Sequence, residues 1–69
     1  MRVFNAIVFT DYKAKVVYHN ITNIHGFISY VRANVSVITI MFYELNSRHD
    51  KRGEYCGFWS EKKGLNMKK

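Results

Sequence analysis

Residues 35–45 carry β-branched and aromatic side chains on both faces of an extended chain. Ser36, Ile38, Ile40, Phe42 and Glu44 would share one face; Val35, Val37, Thr39, Met41, Tyr43 and Leu45 would share the other. A strand that is apolar on both sides belongs in the middle of a sheet that is covered on both sides. The whole sequence has only 69 residues. A chain of that size buries only about 60% of the surface its unfolded form exposes. If every element were a strand, so short a chain could not cover both faces of a flat sheet. The sheet must curl into a small barrel, take a helix on one face, or pack against a second copy. We therefore expect a mainly β fold: a small antiparallel meander of four to five strands, curled or barrel-like, that also self-associates. The alternative is an α+β fold with one helix at about residues 21–32.

The rest of the chain fills in that picture. Val3 to Phe9 reads as a strand, with Phe4, Ala6 and Val8 on one side and Val3, Asn5, Ile7 and Phe9 on the other. Both sides are largely apolar, so this strand too is expected to be covered twice. Thr10-Asp11-Tyr12-Lys13 suits a turn. Ala14 to His19 alternates cleanly, with Ala14, Val16 and Tyr18 inward and Lys13 and Lys15 outward. Residues 21–32 read two ways. Ile21, Ile24, Ile28 and Val31 fall at helical spacing, and Asn20 could cap a helix. Gly26 would cost about 1 kcal/mol inside a helix, and the Ile, Thr, Phe, Tyr and Val content favours a strand. Asp50-Lys51-Arg52-Gly53 suits a type I turn leading into a last short strand, Glu54 to Trp59. Residues 1–60 then form one β-rich domain, and 61–69 read as a basic C-terminal tail.

Few residues suggest chemistry. The candidate metal donors are His19, His25, His49 and Cys56, with none of the paired spacings that zinc sites use, so no metal or cofactor is expected. His49-Asp50 could approach Cys56 across the proposed turn, but no oxyanion-binding arrangement accompanies them, and no catalytic residues are assigned. The five acids are Asp11, Glu44, Asp50, Glu54 and Glu61, all in or beside expected turns or ends. The glycines are isolated and build no phosphate-binding loop. A single cysteine excludes an intrachain disulfide framework and fits a reducing, cytoplasmic setting. Two sequons, at Asn20 and Asn34, carry no weight in that setting. The first ten residues are too short and too interrupted for a signal peptide. No uninterrupted apolar run exceeds four residues, against the roughly 20 needed to span a bilayer. No membrane partner is expected.

Charge is the feature that points to a partner. Lys and Arg number 11 against 5 acids, a net charge of +6. Two-thirds of that excess lies after residue 45, where Tyr55, Phe58 and Trp59 are interleaved with the cations. Cations beside rings are what backbone contact with base stacking requires. Arg48, Lys51, Arg52, Tyr55, Trp59, Lys62 and Lys63 are therefore the expected partner-binding residues. Tyr12, Tyr30 and Arg32 are further candidate anchors for a protein interface.

Phe, Tyr, Met, Ile, Asn and Lys fill 32 of the 69 positions, and there is no proline. These are residues encoded by AT-rich codons. In size, charge and composition the chain resembles the small basic accessory proteins of bacteriophages of AT-rich hosts. That resemblance implies a non-enzymatic protein, in the host cytoplasm, that docks on and inhibits a host or defence protein complex, one that handles nucleic acid. Direct binding of nucleic acid or nucleotide by the basic, aromatic C-terminal patch is the alternative. A homodimer or higher oligomer is expected in either case.

Overall fold

The computed structural model describes residues 2–11, 15–34, 36–46 and 52–68. The elements run β1 (Phe4–Thr10), β2 (Lys15–Ile21), α1 (Ile24–Asn34), β3 (Val37–Glu44), β4 (Glu54–Ser60) and β5 (Gly64–Met67). The strands form one antiparallel sheet in the order β2-β1-β3-β4-β5. The fold is mainly β, as the side-chain patterns require, with one helix and with β3 at the centre.

Three details differ from the sequence expectation. The sheet is open, not closed into a barrel. The order is not a simple meander, because α1 carries the chain from the edge strand β2 past β1 to β3. Residues 24–34 are helical, not a strand, because Ile24, Phe27, Ile28 and Val31 make one apolar stripe over the sheet. The cap is Asn23, not Asn20: the Gly26 N–H donates to its Oδ1 at 2.9 Å. Gly26 leaves room for that cap, since a Cβ there would stand 3.1 Å from Asn23 Nδ2. Asn20 instead has φ 59 at the β2 irregularity, and its N–H donates to Asn5 Oδ1 at 3.4 Å. No helix among the described residues is long and apolar enough to cross a membrane.

The core lies between α1 and one face of the sheet. Phe4, Ala6, Val8, Ile21, Ile28, Val31, Ile40, Phe42, Cys56 and Trp59 form it. Phe42, Ile40, Val8 and Val31 are the largest fully buried side chains, each contributing about 1.5–3 kcal/mol through burial. Where composition suggests a basic tail, Gly64–Met67 forms β5, with Leu65 and Met67 packed against the core. The Lys63 N–H donates to Ser60 Oγ at 3.1 Å in the reversal, and Gly64 takes the left-handed φ of 72. The turn proposed at residues 50–53 begins outside the described residues.

Candidate functional site

The helix covers one face of the sheet only. Register assigns the other face. Ile7 stands opposite both Val17 and Met41, Met41 opposite Phe58, and Phe58 opposite Asn66. Phe9 stands opposite Lys15 and Thr39, and Thr39 opposite Ser60. Asn5 stands opposite Tyr43, and Tyr43 opposite Tyr55. Directly paired residues share a face, so these side chains make one continuous surface opposite the helix. Ile7, Phe9, Met41, Tyr43, Tyr55 and Phe58 on it are half-buried, by their neighbours in the sheet, and Val17 is 46% exposed. Among the described residues no element lies over β1 and β3 on this side, and there is one helix for a sheet with two apolar faces.

Two sequence details place the aromatic end of this surface. A register shift between Phe42 and Tyr43 puts both Cys56 and Gly57 against Phe42, so Cys56 turns into the core and Tyr55 turns out. Tyr55 then meets Tyr43 edge-on, with ring centroids 5.7 Å apart at 68°. Lys68, just after β5, holds its Nζ 5.3 Å from the Tyr55 ring centroid, while its N–H donates to the Cys56 carbonyl at 2.6 Å. Beside the rings is a shallow recess of about 350 Å³ lined by Asn5, Ile7, Val17, His19, Tyr43, Arg52 and Gly53.

The residues expected to bind a partner do not gather in one place. Tyr55 is on the open face, and Arg52 lines its recess. Lys62 and Lys63 are exposed in the β4–β5 reversal. Trp59 is 8% exposed and lies in the core on the helix side, with the Arg32 guanidinium 5.2 Å over its ring. Burial rules it out as a free stacking ring. Arg48 and Lys51 lie outside the described residues, as does Tyr12. Tyr30 is 60% exposed on the outer side of α1, away from the open face. Ile7, Phe9, Met41, Tyr43 and Phe58 were not expected in a site. Their alternation was visible in the sequence, but an apolar alternating position reads as core unless the count of covering elements is known.

The chemistry of the other groups is quiet. Burial pushes the Cys56 thiol up, and its Sγ lies 3.5 Å from the Phe42 carbonyl. Arg2 donates to both Glu44 oxygens, at 2.8 and 2.9 Å. That hydrogen bonding holds the Glu44 carboxyl below its ordinary value and Arg2 above its own. His19 lines the open recess while His25 is exposed in the first turn of α1. Among the described residues, no three His, Cys, Asp or Glu side chains cluster as metal ligands would. A second recess, beside Trp59 at one end of the helix side, is lined by Asp11, Arg32, Ser36, Val37, Ile38 and Glu61. Its two acids outnumber its one cation.

Searches of protein-family models, curated proteins and solved structures find no match to this chain.

Proposed function

We infer that this protein works by non-covalent capture, with the open sheet face as its docking surface, and carries out no reaction of its own. One observation carries the reading: an unbroken row of apolar and aromatic side chains from the exposed Val17 through the half-buried Ile7 and Met41 to Phe58, over which the described residues place no element. Contiguous apolar patches on this scale mark interaction surfaces on soluble domains. Rings and a methionine at their centre are the side chains that dominate interface energies. Docking on a host or defence complex, and blocking it by occupancy, is the form of this reading that the resemblance to small phage proteins supports.

The test compares what immobilised protein retains from a cell lysate, protein and nucleic acid alike, across three forms. Met41→Ser with Phe58→Ser disrupts the row; Tyr30→Ser alters a more exposed ring on the helix side. The wild type and Tyr30→Ser are expected to retain the same partner in the same amount, and the double variant to lose it while keeping a cooperative melt. Equal retention by all three forms would place the docking surface elsewhere.

A further inference from the structure

The open face differs from the rest of the molecule in charge as well as in polarity. The described carboxylates stand on the helix side by register or line its recess, and two of them border the aromatic end of the open face. Glu44 stands in register with the buried Phe4 and with Glu54, and Asp11 and Glu61 line the recess beside Trp59 on the helix side. The cations Lys15 and Lys68, by contrast, come out on the open face. Lys15 pairs in register with Phe9, and Lys68 lies against Tyr55. Among the described residues the open face thus carries cations and rings, with Glu44 and Glu54 only at its edge, where they line a recess with Arg2, Tyr55 and Lys68 and Glu44 is bonded to Arg2, within a chain whose net charge is +6. Its accessible polar side chains, His19, Thr39, Ser60 and Asn66, sit between or beside the rings.

That combination selects among occupants. An acidic protein surface would satisfy the cations and can pack against the rings, but it does not repeat a flat face beside each anion as a nucleotide strand does. A second copy would satisfy the apolar row but would set Lys15 and Lys68 against their own counterparts. Unpaired bases have a flat face for each ring, hydrogen-bonding edges for the amides and hydroxyls, and a phosphate within reach of the cations. A duplex hides its base faces and offers only the phosphates. Resting on the docking reading above, we propose that the open face binds single-stranded nucleic acid, with bases stacked on Tyr43, Tyr55 and Phe58 and phosphates met by Lys15 and Lys68. The Tyr43–Tyr55 contact and the Lys68–Tyr55 contact hold three of these groups in place before any ligand arrives, which reduces the ordering cost of binding.

The experiment titrates the full chain into fluorescein-labelled single strands about twelve nucleotides long, within the range one small β fold occupies. One arm is oligo-dT, one oligo-rU, and one the matched DNA duplex, each over a salt series. Single strands are expected to bind more tightly than duplex, with log affinity falling linearly with log salt. Tyr43→Leu with Phe58→Leu keeps the apolar row but removes two flat rings, and should weaken binding about fivefold or more. Lys15→Gln with Lys68→Gln should reduce the salt slope by about 1.4, from about 0.7 per single-strand phosphate contact. The dT and rU arms decide between DNA and RNA. Duplex bound as tightly as single strand, or leucine variants that bind like wild type, would reduce the interaction to general polycation attraction and overturn the proposal. If no oligonucleotide binds while lysate capture still depends on Met41 and Phe58, the occupant is a protein and only this proposal falls. If capture is indifferent to those residues as well, the docking reading falls with it.

Discussion

Trp59 shows how one residue can be misplaced by composition and recovered by packing. It sits among cations in the sequence, at the end of β4 and just before Glu61, Lys62 and Lys63, which suits an exposed stacking ring. In the sheet it stands opposite the fully buried Ile40 and faces α1. Arg32, from the last turn of that helix, closes over it. Tyr55, four residues earlier, has the opposite fate because the irregularity at Cys56 and Gly57 changes which side the strand presents. The two rings should respond differently to truncation. Trp59→Ala removes a large buried side chain at about 3–5 kcal/mol, comparable with the whole stability of so small a domain. We expect Trp59→Ala to lose its cooperative thermal transition and Tyr55→Ala to melt within a few degrees of wild type. A circular-dichroism melt decides it; a folded, cooperative Trp59→Ala protein would mean that the ring contributes little to the core.

Among the elements, β1, β2 and β3 were legible in the sequence because their side chains divide into two alternating faces, and β4 because a turn signal precedes it. The helix was half-legible. Its stripe was visible, but Gly26 and the β-branched content argued for a strand, and only the sheet resolves the matter: a two-faced β1 and β3 need a cover, and residues 24–34 are the segment that can provide it. β5 was hidden because four residues with two half-buried side chains barely differ from a tail. Its place depends on its neighbour. A Cβ at Gly57 would stand 2.5 Å from the Asn66 carbonyl oxygen and 2.7 Å from Met67 Cα, both backbone atoms of β5, and neither can move without breaking the pairing. Gly57→Ala is therefore expected to expel β5 and leave β1–β4 paired. Hydrogen exchange should show fast amides at residues 64–68 and protection retained in β3; unchanged protection of Leu65 and Met67 would refute this tight approach. Lys68 leaves the Tyr55 ring along with β5, so the same variant should also weaken oligonucleotide binding.

At the scale of the whole molecule, the proposed docking on the open face would compete there with self-association, and salt would separate the two. Two copies packed face to face would bury the apolar row, which favours association, but would bring together two bodies of net charge +6. At about 0.01 M ionic strength the screening length is about 30 Å, longer than the 18 Å shortest dimension of the protein, so the full charges repel. At about 0.15 M it falls to about 8 Å, and only the cations nearest the interface still oppose contact. Self-association should therefore strengthen with salt, whereas binding of a polyanion to the same face should weaken. Sedimentation equilibrium at low and high salt is expected to show a monomer giving way to a dimer. Met41→Lys, which places a charge in the middle of the row, should remain monomeric throughout. Adding oligo-dT at low salt should bind monomers and create no dimers. A dimer that is stable at low salt and dissolves as salt is added would show that its contacts are ionic, and would place the interface away from the Ile7, Met41 and Phe58 row.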